Sequence, residues 1–215
     1  MVVAAKAPRM TLLALDDATR ALIALSAAIA TGNDAAIEEH ARTCLAEGAP
    51  ETWVDELLLQ STLMVGWPRA LSAAAIWRRI GGPPRSLEDG TEYAQAAAWR
   101  ERGEGLCREI YGPNHDRLRA NIRELHPALE AWMVTEGYGR TLGRPGMDLA
   151  RRELAVVAQV AVQGAEKQLH SHLRGALNAG AAPDVLEAAL AVVKPFLGAR
   201  ELALLATLWN RIRPS

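Results

Sequence analysis

The feature that most constrains the fold is an internal duplication. Residues 16–80 recur along 148–212 at a constant offset of 132, with no gap. Asp16 pairs with Asp148, Arg20 with Arg152, Leu22 with Leu154 and Gly32 with Gly164. His40, Arg42 and Gly48 pair with His172, Arg174 and Gly180. Further on, Gly66, Trp77 and Ile80 pair with Gly198, Trp209 and Ile212. A register kept over that length marks each copy as one structural unit that can cover an apolar face of the other.

Each copy reads as four helices. In the second they fall at about 149–163, 166–179, 183–193 and 197–212. Asp148 suits an N-cap, and Gly164 and Gly180 sit where left-handed residues end helices. Pro183 fits a first helical position, and Pro195 separates the third helix from the fourth. Alanine is abundant and β-branched runs are rare, so an all-α protein is expected. The expected organisation is an N-terminal repeat at 1–80, a linker at 81–90 (GGPPRSLEDG) and a C-terminal repeat at 91–215 that carries an extra helical segment. That insert has candidate helices at Glu92–Ile110 and Asp116–Glu136, the latter bent or divided at Pro127. Residues 1–15 read as a loose or partly helical lead.

The net charge of −1 gives no electrostatic case for nucleic-acid or membrane binding. No stretch is long enough to span a bilayer. Cys44 and Cys107 stand in neither CxxC nor metal spacing, so a reducing compartment and no metal site are expected. The apolar run Ala21–Ala30 follows Asp16 and Asp17 and lacks a convincing cleavage pattern, so a cytoplasmic helix is expected rather than a signal peptide.

Two polar residues intrude on the apolar faces of the second copy: Glu153 on its first helix and His172 on its second. Burial would disfavour a charged carboxylate, and a nearby imidazole can exchange protons with it. Equally, Glu153 can be a favourable early-turn acid and His172 a satisfied core histidine. Spacing alone leaves both readings open. Arg140, Arg144, Arg151 and Arg152 cluster nearby; they suit an anionic small ligand, or a solvated loop and helix start. His40 and Cys44 share a helical face at i and i+4, although Cys44 reads more simply as a small buried residue, Ala176 being its counterpart. His170 and His172 lie too far apart around a helix to share a metal. His115 and His126 read as loop or capping residues, and Trp77 and Trp209 as packing anchors.

The segments GRPGMDLARREL (143–154), Gly164 and HLRGALNAGAAPDVLEAAL (172–190) resemble the carboxymuconolactone decarboxylase family, which shares its fold with AhpD-type alkylhydroperoxidases. RGEGLCREIYGPNHDRL (102–118) is similar to the segment leading into those motifs. The resemblance implies an AhpD-like helical fold in two tandem repeats. It places the family's glutamate on Glu153 and its histidine on His172, while the peroxidase cysteines fall on Ala165 and Gln168. In the first copy the glutamate position is Ala21, so that copy is degenerate. Without a thiolate the peroxidase reading fails. The decarboxylase resemblance implies a cofactor-independent lyase of aromatic-compound catabolism, acting on a small anionic unsaturated lactone acid. Glu153 and His172 would be catalytic, with Arg140 or Arg152 holding substrate carboxylates. It also implies a homo-oligomer, a trimer built as a pseudo-hexamer. A binding or assembly module that has lost its chemistry, and a redox protein using Cys44, are the competing classes.

Overall fold

The punctuation read from the sequence sets the elements. In a computed structural model that describes residues 12, 14–85 and 90–214, the first copy forms α1 (Asp17–Thr31), α2 (Asp34–Ala46), α3 (Glu51–Met64) and α4 (Gly66–Gly81). The insert forms α5 (Ala96–Tyr111), α6 (His115–Leu125) and α7 (Pro127–Trp132), which runs on into a π-helical segment, Met133–Leu142. The second copy forms α8 (Leu149–Val162), α9 (Glu166–Asn178), α10 (Pro183–Val193) and α11 (Ala199–Ile212). Helix order repeats as the duplication demands, and the fold is all-α. Among the described residues the only β pairing is an isolated bridge between Leu12 and Ala181. None of the described helices is long and apolar enough to cross a membrane.

Equivalent helices begin and end by the same chemistry. The Asp16 carboxylate accepts from Thr19 N at 2.6 Å, and that of Asp148 from Arg151 N at 3.0 Å. Both α1 and α8 then stop at a glycine in the left-handed region, Gly32 (φ 73°) and Gly164 (φ 62°). A side chain there would be strained, so the hairpin turn depends on glycine at both places. Pro183 opens α10, and Pro195 lies in a 3₁₀ turn, Lys194–Phe196. Leu197 and Gly198 are extended, so α11 starts two residues later than the pattern predicts.

Helices α1 and α8 pack on each other at the centre of the molecule. They are buried on nearly every side, α8 with Arg151, Arg152, Glu153 and Gln159 among its enclosed residues. Small residues (Ala27, Ala28, Ala155, Ala158) line both helices, and Ser26 Oγ donates to Ala155 O at 2.7 Å. The two cores interlock through this pair. Ile23 and Ala27 of α1 belong to the core built on Leu154, Leu169 and Leu186, whereas Ala155 of α8 belongs to the core built on Leu22, Leu57 and Trp77. Each copy therefore completes the other.

The insert divides at Pro127 as the sequence predicts; His126 Nδ1 accepts from Ala128 N at 3.0 Å and caps α7. Helix α5 lies across both α9 and the π-helical segment. Its approach to the latter is backbone on backbone: Gly103 faces Val134 O and Gly139 faces Trp99 O. The π-helix has no signal in a 3.6-residue period, although Gly139 marks where it packs closest. Of the six tryptophans, Trp77 and Trp99 are fully buried and Trp209 nearly so, while Trp67 and Trp132 are exposed.

Candidate acid–base site

Glu153 stands in the second turn of α8 and His172 in the middle of α9, on the facing sides of the hairpin that Gly164 closes. His172 Nδ1 lies 2.8 Å from Glu153 Oε2. Both are enclosed, Glu153 at 0% and His172 at 6% exposure. Gly175, one turn beyond His172, makes that approach possible: a Cβ there would lie 2.5 Å from Glu153 Oε2 and 2.9 Å from Ile110 Cγ2. With Glu153 as carboxylate, the Nδ1 proton is donated to it and Nε2 is left as the acceptor, so the pair fixes the imidazole tautomer as well as its orientation. Glu153 Oε1 has no hydrogen-bond partner among the described residues. A half-satisfied buried carboxylate is costly to hold, which favours a role over simple packing.

Two tyrosines of the insert lie within reach of the Glu153 charge. Tyr111, at the end of α5, and Tyr138, in the π-helical segment, share a hydrogen bond between their hydroxyls and meet edge to face. Burial, with the Glu153 charge adding to it, pushes both phenols above the usual range. Cys107 lies behind them, its thiol pushed up to about 12, chiefly by burial. Neither tyrosine stands out in the sequence, because the insert has no counterpart against which to compare it.

The first copy lacks this apparatus. Ala21 replaces the carboxylate, and His40 packs instead on Phe196, ring centroids 5.2 Å apart, beside an open cavity of about 440 Å³. Cys44 is buried with its thiol pushed up to about 12 by burial, so the His40–Cys44 pair supplies no thiolate near neutral pH.

The predicted arginine clamp sits elsewhere. Arg152 is fully buried (0%) and binds Glu56 Oε2 at 2.9 Å, Arg144 O at 2.9 Å and Met147 O at 3.1 Å. Arg140 donates to Gly90 O and Glu136 and lies over the Tyr93 and Trp99 rings. Arg144 also binds Glu56, and Arg151 binds Asp16 and Asp148. The cluster is thus occupied by carboxylates and carbonyls of the chain itself, and Glu153 and His172 are partnered with neither Arg140 nor Arg152.

A cavity of about 550 Å³ opens beside Tyr111, between the α5–α6 corner and α9. His170 and Arg174 line it from α9, and Arg117 from α6. Burial lowers the pKa of His170, and the Arg174 and Arg211 charges lower it further. Its neutral form is therefore favoured in the folded chain. That contribution to stability is full above the ordinary histidine value and falls as pH drops through the lowered one. Arg174→Gln is expected to move the His170 midpoint upward, read from its imidazole proton shifts in an NMR titration; an unmoved or lowered midpoint contradicts this geometry.

No group of three or more His, Cys, Asp or Glu that could hold a metal occurs among the described residues. The chain is thus an all-α protein of two four-helix units, with a buried Glu–His pair on the hairpin of the second unit alone. The chain belongs to the carboxymuconolactone decarboxylase family: the family's model matches residues 10–79 and 127–208, one match to each copy. Residues 80–126, with α5, α6 and Tyr111, lie outside both matches. No curated protein matches the chain.

Proposed function

We propose that the protein is a cofactor-independent lyase or isomerase that moves a proton on a small, unsaturated, lactone-type acid. One observation carries this reading: the buried Glu153–His172 hydrogen bond, with its unpartnered carboxylate oxygen, is present in one copy and dismantled in the other. Loss of carbon dioxide from such an acid leaves an extended enolate, which must be protonated at carbon. The imidazolium of His172, stabilised by Glu153, is the acid suited to that step. The family match supports the substrate class, with 4-carboxymuconolactone as the first compound to test.

The experiment follows carbon dioxide release from 4-carboxymuconolactone by the purified chain. His172→Ala and Glu153→Gln are each expected to lower kcat by about 100-fold, within the range for removing a general acid or its orienting partner. The double variant should fall little further, because the two residues act as a unit. Turnover that survives either substitution removes the pair from the mechanism.

A further inference from the structure

We infer that the cavity between the α5–α6 corner and α9 is a binding site for a small organic dianion, gripped by Arg117 from one side and Arg174 from the other. This rests on the proposed acid–base reading for its purpose, not for its existence.

Two guanidiniums meet this cavity, and no Asp or Glu is among the described residues that line it. Arg174 has no ion-pair partner among the described residues, and Arg117 donates only to Asn114 Oδ1, at 3.2 Å. By contrast, Arg119, Arg140, Arg144, Arg151 and Arg152 all hold carboxylates. The duplication sharpens the contrast. Arg42, the counterpart of Arg174, pairs with Glu38 at 2.7 Å, whereas position 170, the counterpart of Glu38, is His170. The second copy carries an imidazole at the cavity wall where the first has a carboxylate, and burial, with the Arg174 and Arg211 charges adding to it, disfavours a charge on His170.

A guanidinium fork matches a carboxylate in shape and charge. Forks on two different helices suit a ligand with two carboxylates. Between them Ile110, Leu118, Leu177 and Ile212 offer an apolar bed for a short carbon skeleton. The volume is that of a small-molecule site. Tyr111 belongs both to this cavity and to the hydroxyl pair that the Glu153 charge reaches, so a ligand held here lies against the wall of the acid–base site.

The test is titration calorimetry of the full chain at neutral pH and low salt, with trans,trans-muconate and with sorbate, its analogue bearing one carboxylate. Muconate is expected to bind at least tenfold more tightly than sorbate. Arg117→Gln and Arg174→Gln, both exposed positions, should each weaken muconate about tenfold and erase most of the preference. Arg42→Gln should change nothing. No heat of binding by the unaltered chain at up to about 1 mM muconate, equal affinities for the two acids, or muconate binding indifferent to both substitutions overturns the assignment. Glu153→Gln and His172→Ala should bind muconate like the unaltered chain. Binding that survives where turnover is absent therefore separates failure of the acid–base reading from failure of this one.

Discussion

Glu56→Ala is expected to destabilise the protein by about 3–5 kcal/mol, the effect of removing one partner of a buried ion pair. Glu56 and Arg152 are both at 0% exposure, and the Glu56 carboxylate receives Arg152 Nη2 at 2.9 Å and Arg144 Nε at 3.0 Å. Without it, two guanidiniums are left facing each other at the α3–α8 contact, one fully enclosed, and the desolvation they suffered on folding has lost its compensation. The methylene groups lost with the side chain would account for only about 1–2 kcal/mol, so a larger change reports the charge. Urea unfolding should show a lower midpoint with an unchanged slope. The combined change Glu56→Leu with Arg152→Met should be less damaging than Glu56→Ala, since it removes the fully enclosed guanidinium together with its carboxylate. A loss below about 1 kcal/mol for Glu56→Ala would mean that water reaches the pair and that it is not enclosed.

The same pair shows what the sequence could and could not disclose. Helix order, the two glycine turns and the Pro127 break were legible because each depends on local backbone chemistry and appears twice, or at a proline. The meeting of Glu153 and His172 was legible because the duplication supplies a control, Ala21, in which half of it is gone. The destination of the arginines was not. Arg151 and Arg152 are neighbours in sequence but point about 100° apart on a helix, and the carboxylate that Arg144 and Arg152 bind comes from α3, 88 residues before Arg144. The signal available was the mismatch of Glu56 with Ala188 at the same offset, an acid without a counterpart. Tyr111 and Tyr138 had no such signal, since nothing in the first copy corresponds to the insert.

Gly103→Ala should destabilise the chain by about 3 kcal/mol, the upper part of the usual range for overpacking. A Cβ at this position would lie 1.9 Å from Val134 O and 2.9 Å from Gly139 N, both backbone atoms that no rotamer change can move aside. Alanine brings a gain of about 1 kcal/mol in helix propensity, which the clash must first overcome. Gly105, two residues on in the same helix, separates the two effects, because a Cβ there meets nothing within 4 Å. Gly105→Ala should therefore stabilise the chain by about 0.5–1 kcal/mol, and thermal unfolding of the two variants should shift in opposite directions. Under the proposed lyase function, Gly103→Ala should also impair turnover in the molecules that remain folded. Relief of the clash requires α5 and the π-helical segment to separate, and these carry Tyr111 and Tyr138, the hydroxyl pair that the Glu153 charge reaches. If both substitutions raise the melting temperature, the two helices do not touch through their backbones.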